Sequence, residues 1–226
     1  MKKLLIIFAV IILPSISFSQ GYTYYDINEL MTSNLIRTIR SADNSENYTG
    51  SPYDHDEFIN GSLITVSKQI YKDVPLRLNI YNNSVEFKSG DKVLEIDTPE
   101  LFEYITIGES KIQYLPYSIT KKISKGYFKI IEEGEATLLA RPKVLFQEAT
   151  KPGAYQDAKP AAFKRTNDEI FIKVGESQAQ YVKNKKSLVE ILSGKEDLVS
   201  AFIKKNKIKA SDINNVRKLV QYYNSN

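Results

Sequence analysis

The sequence predicts an α+β fold: a mainly antiparallel, curved β-sheet or partial barrel, with a short N-terminal helix and a helical C-terminal tail. Three observations predict it. Apolar and polar residues alternate with a period of two across much of residues 62–182, the spacing that turns one side of a strand to a core. Turn residues recur there every eight to twelve positions, as they do in a meander. From Lys183 onward the apolar period becomes helical.

The first element is a leader. Lys2 and Lys3 give a positive start, Leu4 to Leu13 is an unbroken apolar run, and Pro14 stops it. Ser17 and Ser19 put small residues at the −3 and −1 positions of a signal-peptidase site. Ten helical residues rise about 15 Å, half of the ~30 Å needed to cross a bilayer. The expectation is a signal peptide over 1–19, cleaved before Gln20, and no transmembrane span in the mature chain. Export then leads to the periplasm, the periplasmic face of the outer membrane, or the medium. The chain has no cysteine, so neither a lipidated cysteine nor a disulfide is available, and stability must come from a core.

An N-terminal segment, 20–61, follows. Asp26 and Glu29 have capping-box spacing, and Ile27, Leu30, Met31, Leu35, Ile36 and Ile39 repeat at helical intervals, predicting a helix over 27–40. Ser41 to Gly61 is polar and reads as a loop.

The antiparallel β domain, 62–182, opens with a hairpin of Leu63–Val66 and Gln69–Tyr71. In Val74–Tyr81, residues Val74, Leu76, Leu78 and Ile80 share one side, and Pro75 places itself at a strand start or an edge because it cannot donate to a ladder. Asn82-Asn83 suits a tight turn into Ser84–Lys88, and Ser89-Gly-Asp91 turns into Lys92–Ile96. Strands follow at Phe102–Ile107, Lys111–Tyr114, Tyr127–Ile131 and Glu135–Ala140. Gln147–Pro160 is too polar and broken for a core element and reads as an excursion, before Glu169–Val174 and Gln178–Val182 resume the sheet.

The last segment, 183–226, carries apolar stripes on three short helices. Ser187 with Glu190, and Ser193 with Glu196, have capping-box spacing, and Ser211 stands before the third helix. Helices this short are stable only when packed on something.

Charge is divided along the chain. Loss of the leader's two lysines leaves 29 basic against 27 acidic residues, a net charge of +2, with ten basic and four acidic residues after Val182. An exported chain rarely meets nucleic acid, so the basic tail points to an envelope protein or an anionic envelope surface. Fifteen tyrosines and no tryptophan suit half-wet contact surfaces. The candidate partner-binding residues are therefore Tyr22, Tyr24, Tyr25, Tyr48 and Tyr53, with Lys204, Lys205 and Lys207 of the tail.

Gly50-Ser-Pro-Tyr53, Asp56-Glu-Phe58 and Gly61, the strand Val74–Tyr81, the closing Leu219–Asn224 and the Phe18-Ser-Gln20 junction together resemble a family of uncharacterised exported β-rich proteins of Bacteroidota with a helical C-terminus. The resemblance implies that architecture and brings no assigned activity or catalytic residue.

Chemistry is sparsely signalled. Asp54, Asp56 and Glu57 flank the only histidine, His55, and these four are the one candidate metal set, through carboxylate oxygen and a single imidazole. The same carboxylates favour the imidazolium form, the wrong state for a hydrolase base, and no Gly-x-Ser-x-Gly elbow exists. Without cysteine, thiol chemistry is excluded. A carboxylate pair of the glycosidase kind, drawn from Glu86, Glu95, Asp97 and Glu103, is the remaining catalytic option. No cofactor motif is present. The expectation is a non-catalytic, exported protein-interaction or accessory module, with a lipid- or glycan-binding curved sheet as the alternative.

Overall fold

Side-chain alternation divides this chain between a closed barrel and an open sheet. A computed structural model describes residues 21–38, 48–120, 122–152 and 157–226; the leader and its cleavage site lie outside the described residues. The elements before the barrel are β1 (Thr23–Tyr25), α1 (Ile27–Met31), β2 (Ile36–Thr38), β3 (Tyr48–Thr49), β4 (Ile59–Thr65), β5 (Gln69–Asn79), β6 (Ser84–Ser89), β7 (Lys92–Ile96) and β8 (Phe102–Ile107). Then come β9 (Ser110–Ser118), β10 (Ile123–Glu132), β11 (Ala136–Arg141), β12 (Val144–Gln147), β13 (Ala161–Arg165), β14 (Glu169–Val174) and β15 (Ala179–Tyr181). Three helices close the chain: α2 (Lys185–Ile191), α3 (Glu196–Lys205) and α4 (Ile213–Asn224).

The predicted α+β class holds, and the sheet does close. Strands β9, β10, β11, β14 and β15 form a five-membered ring, completed by parallel pairing of Ala179 and Gln180 with Tyr117 and Ser118. β9 makes this closure possible by dividing one edge. Residues 110–112 pair with β8 and residues 117–118 with β15, while the opposite edge runs along β10. The open sheet continues from β8 through β4, β5, β6 and β7 to β2.

Alternation then fills three cores. Phe128, Leu139 and Phe171 point into the barrel with Tyr117 and Leu115, and the Tyr117, Phe128 and Phe171 rings meet edge to face at 5.0–5.4 Å, a favoured aromatic geometry. Their neighbours Leu138, Ile170 and Ile172 point outward, where Leu188, Val199, Val216 and Leu219 of the helices cover them. The open sheet curls over Leu63, Leu76, Phe87, Ile105 and Leu30 of α1.

The helical segment therefore covers the barrel's outer face, and its apolar stripes are consumed there. Asn224 fastens it. The side-chain oxygen accepts from the Ala136 N–H at 2.8 Å, and the side-chain amide donates to the Ala136 carbonyl at 2.9 Å, so one carboxamide acts as a strand partner. Caps differ from expectation by one to three residues. Asn184 caps α2, with Ser187 returning the bond; Asp212 caps α4; Lys195 precedes α3 without a side-chain cap.

Near the N-terminus, the predicted helix over 27–40 is only α1. Asp26 and Glu29 form the expected capping box, but Thr32 and Ser33 bond back to the Glu29 and Leu30 carbonyls. Ile36 then pairs with Ile96 on the edge of β7, so sheet pairing overrides helical spacing. Residues 59–61, expected in a loop, begin β4 between β5 and β8. Gly61 is required there because a Cβ would lie 1.9 Å from the Thr106 carbonyl oxygen. The segment 20–61 thus contributes β1, β2 and the start of β4 to the main sheet. Among the described residues, no helix is long and apolar enough to cross a membrane.

Candidate interaction surface

The loop Gly50–Phe58 is laid against the end of β5 by its own backbone. Gly50 has φ +76°, and a Cβ there would come within 2.1 Å of the Phe163 carbonyl oxygen, so only glycine permits the approach. The Pro52 carbonyl accepts from the amides of Ile80 and Tyr81 at 2.8 and 3.2 Å, and the Asp54 amide donates to the Leu78 carbonyl at 3.0 Å.

Two charged groups fasten this loop. The Arg77 guanidinium lies 3.6 Å from the ring centre of Tyr53 and 4.3 Å from that of Phe58. It donates to Glu86 Oε2 at 2.7 Å and to the Asp56 carbonyl at 3.1 Å. Asn79 donates to the second Glu86 oxygen at 3.0 Å, so a carboxylate only 4% exposed is satisfied on both oxygens, as burial demands. Burial, reinforced by the negative charge of Glu86, raises the Tyr53 hydroxyl above its ordinary pKa. Nearby, the Asp54 carboxylate gathers Lys129 Nζ at 2.6 Å, Arg165 at 3.5 Å and His55 Nε2 at 3.6 Å. It thereby ties the loop to both β10 and β13.

The expected metal set is thus dispersed. Asp54 is committed to cations, Asp56 accepts from the Ser51 hydroxyl, and among the described residues no three His, Cys, Asp or Glu side chains are grouped to hold an ion. Adjacency in sequence placed these residues in one loop but not around one point. Of the carboxylates considered for hydrolysis, Glu86 is bound to Arg77 and Asn79, and Glu103 to Lys68.

Beside the stapled loop lies a face that the sequence only partly signalled. Strands β12, β13 and β3 form a separate three-stranded sheet, with β12 at one edge. Phe146 and Phe163 are cross-strand partners, 4.9 Å apart between ring centres. Tyr48 meets Phe163 edge-on at 5.0 Å, and Tyr81, from the turn after β5, meets Phe163 and Phe146 at 5.2 and 6.0 Å. Tyr81 is 52% exposed, and the other three rings are half-buried. Four aromatic rings thus sit together at the surface, and the loop that carries Tyr53 approaches them at Gly50, against the Phe163 backbone.

The tyrosines expected to form one surface occupy three places. Tyr22, just before β1, and Tyr24 within it are exposed, under Lys68 and Lys72 at 5.8 and 3.9 Å. Tyr25 packs on Tyr71 at 5.5 Å. Tyr48 joins the aromatic face, and Tyr53 holds Arg77. Lys204 and Lys205 are exposed in the last turn of α3, where their charge suits the helix dipole, and Lys207 is exposed in the turn beyond. Sequence reading missed Tyr81, Phe146 and Phe163. Phe146 stands before a polar stretch and Phe163 after it, so their pairing appears only once β12 and β13 are in register. No protein-family model matches the chain, and comparison with curated proteins and with solved structures returned no match.

Proposed function

We propose that this protein is an exported, non-catalytic accessory module of the cell envelope that docks a partner protein on the face of Tyr48, Tyr81, Phe146 and Phe163. The observation that carries this reading is the four-ring cluster gathered on Phe163, with Tyr81 half-exposed at its side. Aromatic groups of this kind dominate the energetics of protein interfaces, and tyrosine adds a hydroxyl that bonds to a partner's edge. The Asp54 and Arg77 contacts hold the loop beneath in one conformation, which reduces the ordering cost of association. Export is supported by the leader. The lipid-binding alternative loses ground because aromatic rings occupy the barrel interior, where a lipid chain would lie.

Two measurements test the reading. Intact mass of the mature protein should correspond to a chain starting at Gln20; retention of residues 1–19 would remove the export premise. A photoreactive phenylalanine analogue at Tyr81 should cross-link one discrete partner in intact cells, and Phe146→Asp should abolish the product. Equal cross-linking from the exposed Glu176 position would show contact without a docking site.

A further inference from the structure

The small sheet that carries the aromatic face ends on an open strand. Thr166 donates its amide to the Lys143 carbonyl at 3.0 Å, and Val144 stands opposite Arg165. Antiparallel bonding alternates along a strand, so Leu145 and Gln147 turn their peptide groups inward to β13, and Val144 and Phe146 turn theirs outward. The far edge of β13 agrees, because the carbonyl of Phe163, the partner of Phe146, lies against Gly50. Val144 is buried and Phe146 only half-buried, which leaves the Phe146 N–H and carbonyl as the accessible pair. Among the described residues, β12 has a strand neighbour on one side only. It contains neither proline nor a charged residue, the usual guards of an edge.

Side chains can be received on both faces of that edge. Phe146, with Phe163, Tyr48 and Tyr81, supplies the aromatic side. On the other side Leu145 is 47% exposed and borders a cleft of about 470 Å³. Charge in that cleft is one-sided. Its acids, Glu169 and Asp168, are held by Lys143 and Arg165, each at 2.7 Å. Lys164, directly opposite Leu145, and Lys183, on the cleft wall, are exposed and make no ion pair among the described residues. Glu148 and Asp157 lie beyond both strands.

We propose that the edge of β12 takes up an extended acidic peptide segment as a fourth strand. This rests on the reading that the aromatic face docks a protein, and it names the mode. The residue beside Phe146 exchanges two backbone hydrogen bonds with it and turns an apolar side chain onto the rings; its two neighbours point to the Leu145 side. With strands about 4.8 Å apart, a glutamate there reaches across β12 to Lys164. Main-chain bonds supply affinity in strand addition, and alternate side chains supply specificity.

The test uses the isotope-labelled mature protein and a blocked nonapeptide of alternating valine and glutamate with phenylalanine at its centre. Titration to about 10 mM detects dissociation constants near 1 mM. Saturable shifts are expected at the Leu145, Phe146 and Gln147 amides, and hydrogen exchange at the Phe146 amide should slow about tenfold at saturation. A peptide with lysine for glutamate should bind about tenfold more weakly, and Lys164→Glu should narrow that difference without moving the thermal midpoint. Phe146→phenyllactate keeps the ring and removes only the outward N–H; affinity should fall about fivefold, with the thermal midpoint unchanged. Absence of a saturable shift overturns the proposal, as do equal binding of the lysine peptide, shifts without slowed exchange, or full affinity of the phenyllactate protein. Dimers held at β12 would overturn it by making a second copy the occupant. A Tyr81 cross-link in cells with no peptide response removes strand addition and leaves the docking face standing; peptide binding with no cross-link does the reverse.

Discussion

Arg77 shows how much one side chain can organise. Its guanidinium touches two rings, a carboxylate and a backbone carbonyl, contacts that a planar fork makes and an ammonium cannot reproduce. Glu86→Ala leaves that guanidinium half-buried without its anion, and the loss of stability is expected to be about 3–5 kcal/mol. Chemical denaturation checks this; a change below about 1 kcal/mol would mean that the pair is not needed. Arg77→Lys is expected to recover only part of the wild-type value. The pair was not legible: a two-residue Asn82-Asn83 turn sets Asn79 opposite Glu86, whereas the longer turn over residues 80–83 brings Arg77 there. Asp54 was no better marked. Its cations come from β10 and β13, and no local pattern around residue 54 names them.

Among the elements, β7, β8 and β14 begin and end where alternation places them, whereas Gln69–Tyr71 and Val74–Tyr81, expected as two strands, are the single strand β5 that ends at Asn79. Pro75 was expected at a strand start or on an edge, and it lies inside β5. β1 pairs with residues 69–71 and β6 with residues 76–79, so residues 72–75 have a neighbour on one edge only, and the missing donor is tolerated in that gap. The short helices were legible as helices, but their caps depended on which hydroxyl or amide the fold turned inward. The attachment of α4 gives a pH prediction. Hydrogen bonds from Arg217 at 2.7 Å and Gln221 at 2.9 Å hold the Glu132 carboxyl below its ordinary value of 4.5, Arg217 contributing most. A folded-state pKa below the unfolded one stabilises the fold above the unfolded value and ceases to do so as pH falls through the folded value. The thermal midpoint of the wild type should exceed that of Glu132→Gln at neutral pH, and the difference should vanish on acidification below the ordinary glutamate range. A pH-independent difference would show that the carboxylate charge is not what fastens the helix.

For the whole molecule, the C-terminal helices decide whether the barrel has a hydrophobic exterior. Leu138, Ile170 and Ile172 are buried only under residues 188–223, so truncation at Lys183 is expected to yield an aggregating chain without cooperative unfolding, read by calorimetry and light scattering. A truncated protein that melts in one sharp transition would show the helices to be an appendage. The sequence marked these stripes as needing a surface; it could not say that the surface was the outside of this barrel, because closure depends on a two-residue contact between distant strands. That contact also sets an order of assembly. The seam joins Tyr117 to Ala179, and every residue between them must exist before the ring can shut. During synthesis, β9 therefore waits with its second edge uncovered while some sixty residues are added, and long-range closures of this kind are slow. A chaperone that shields that edge would act on this protein before its last strand is made and have nothing to hold afterwards.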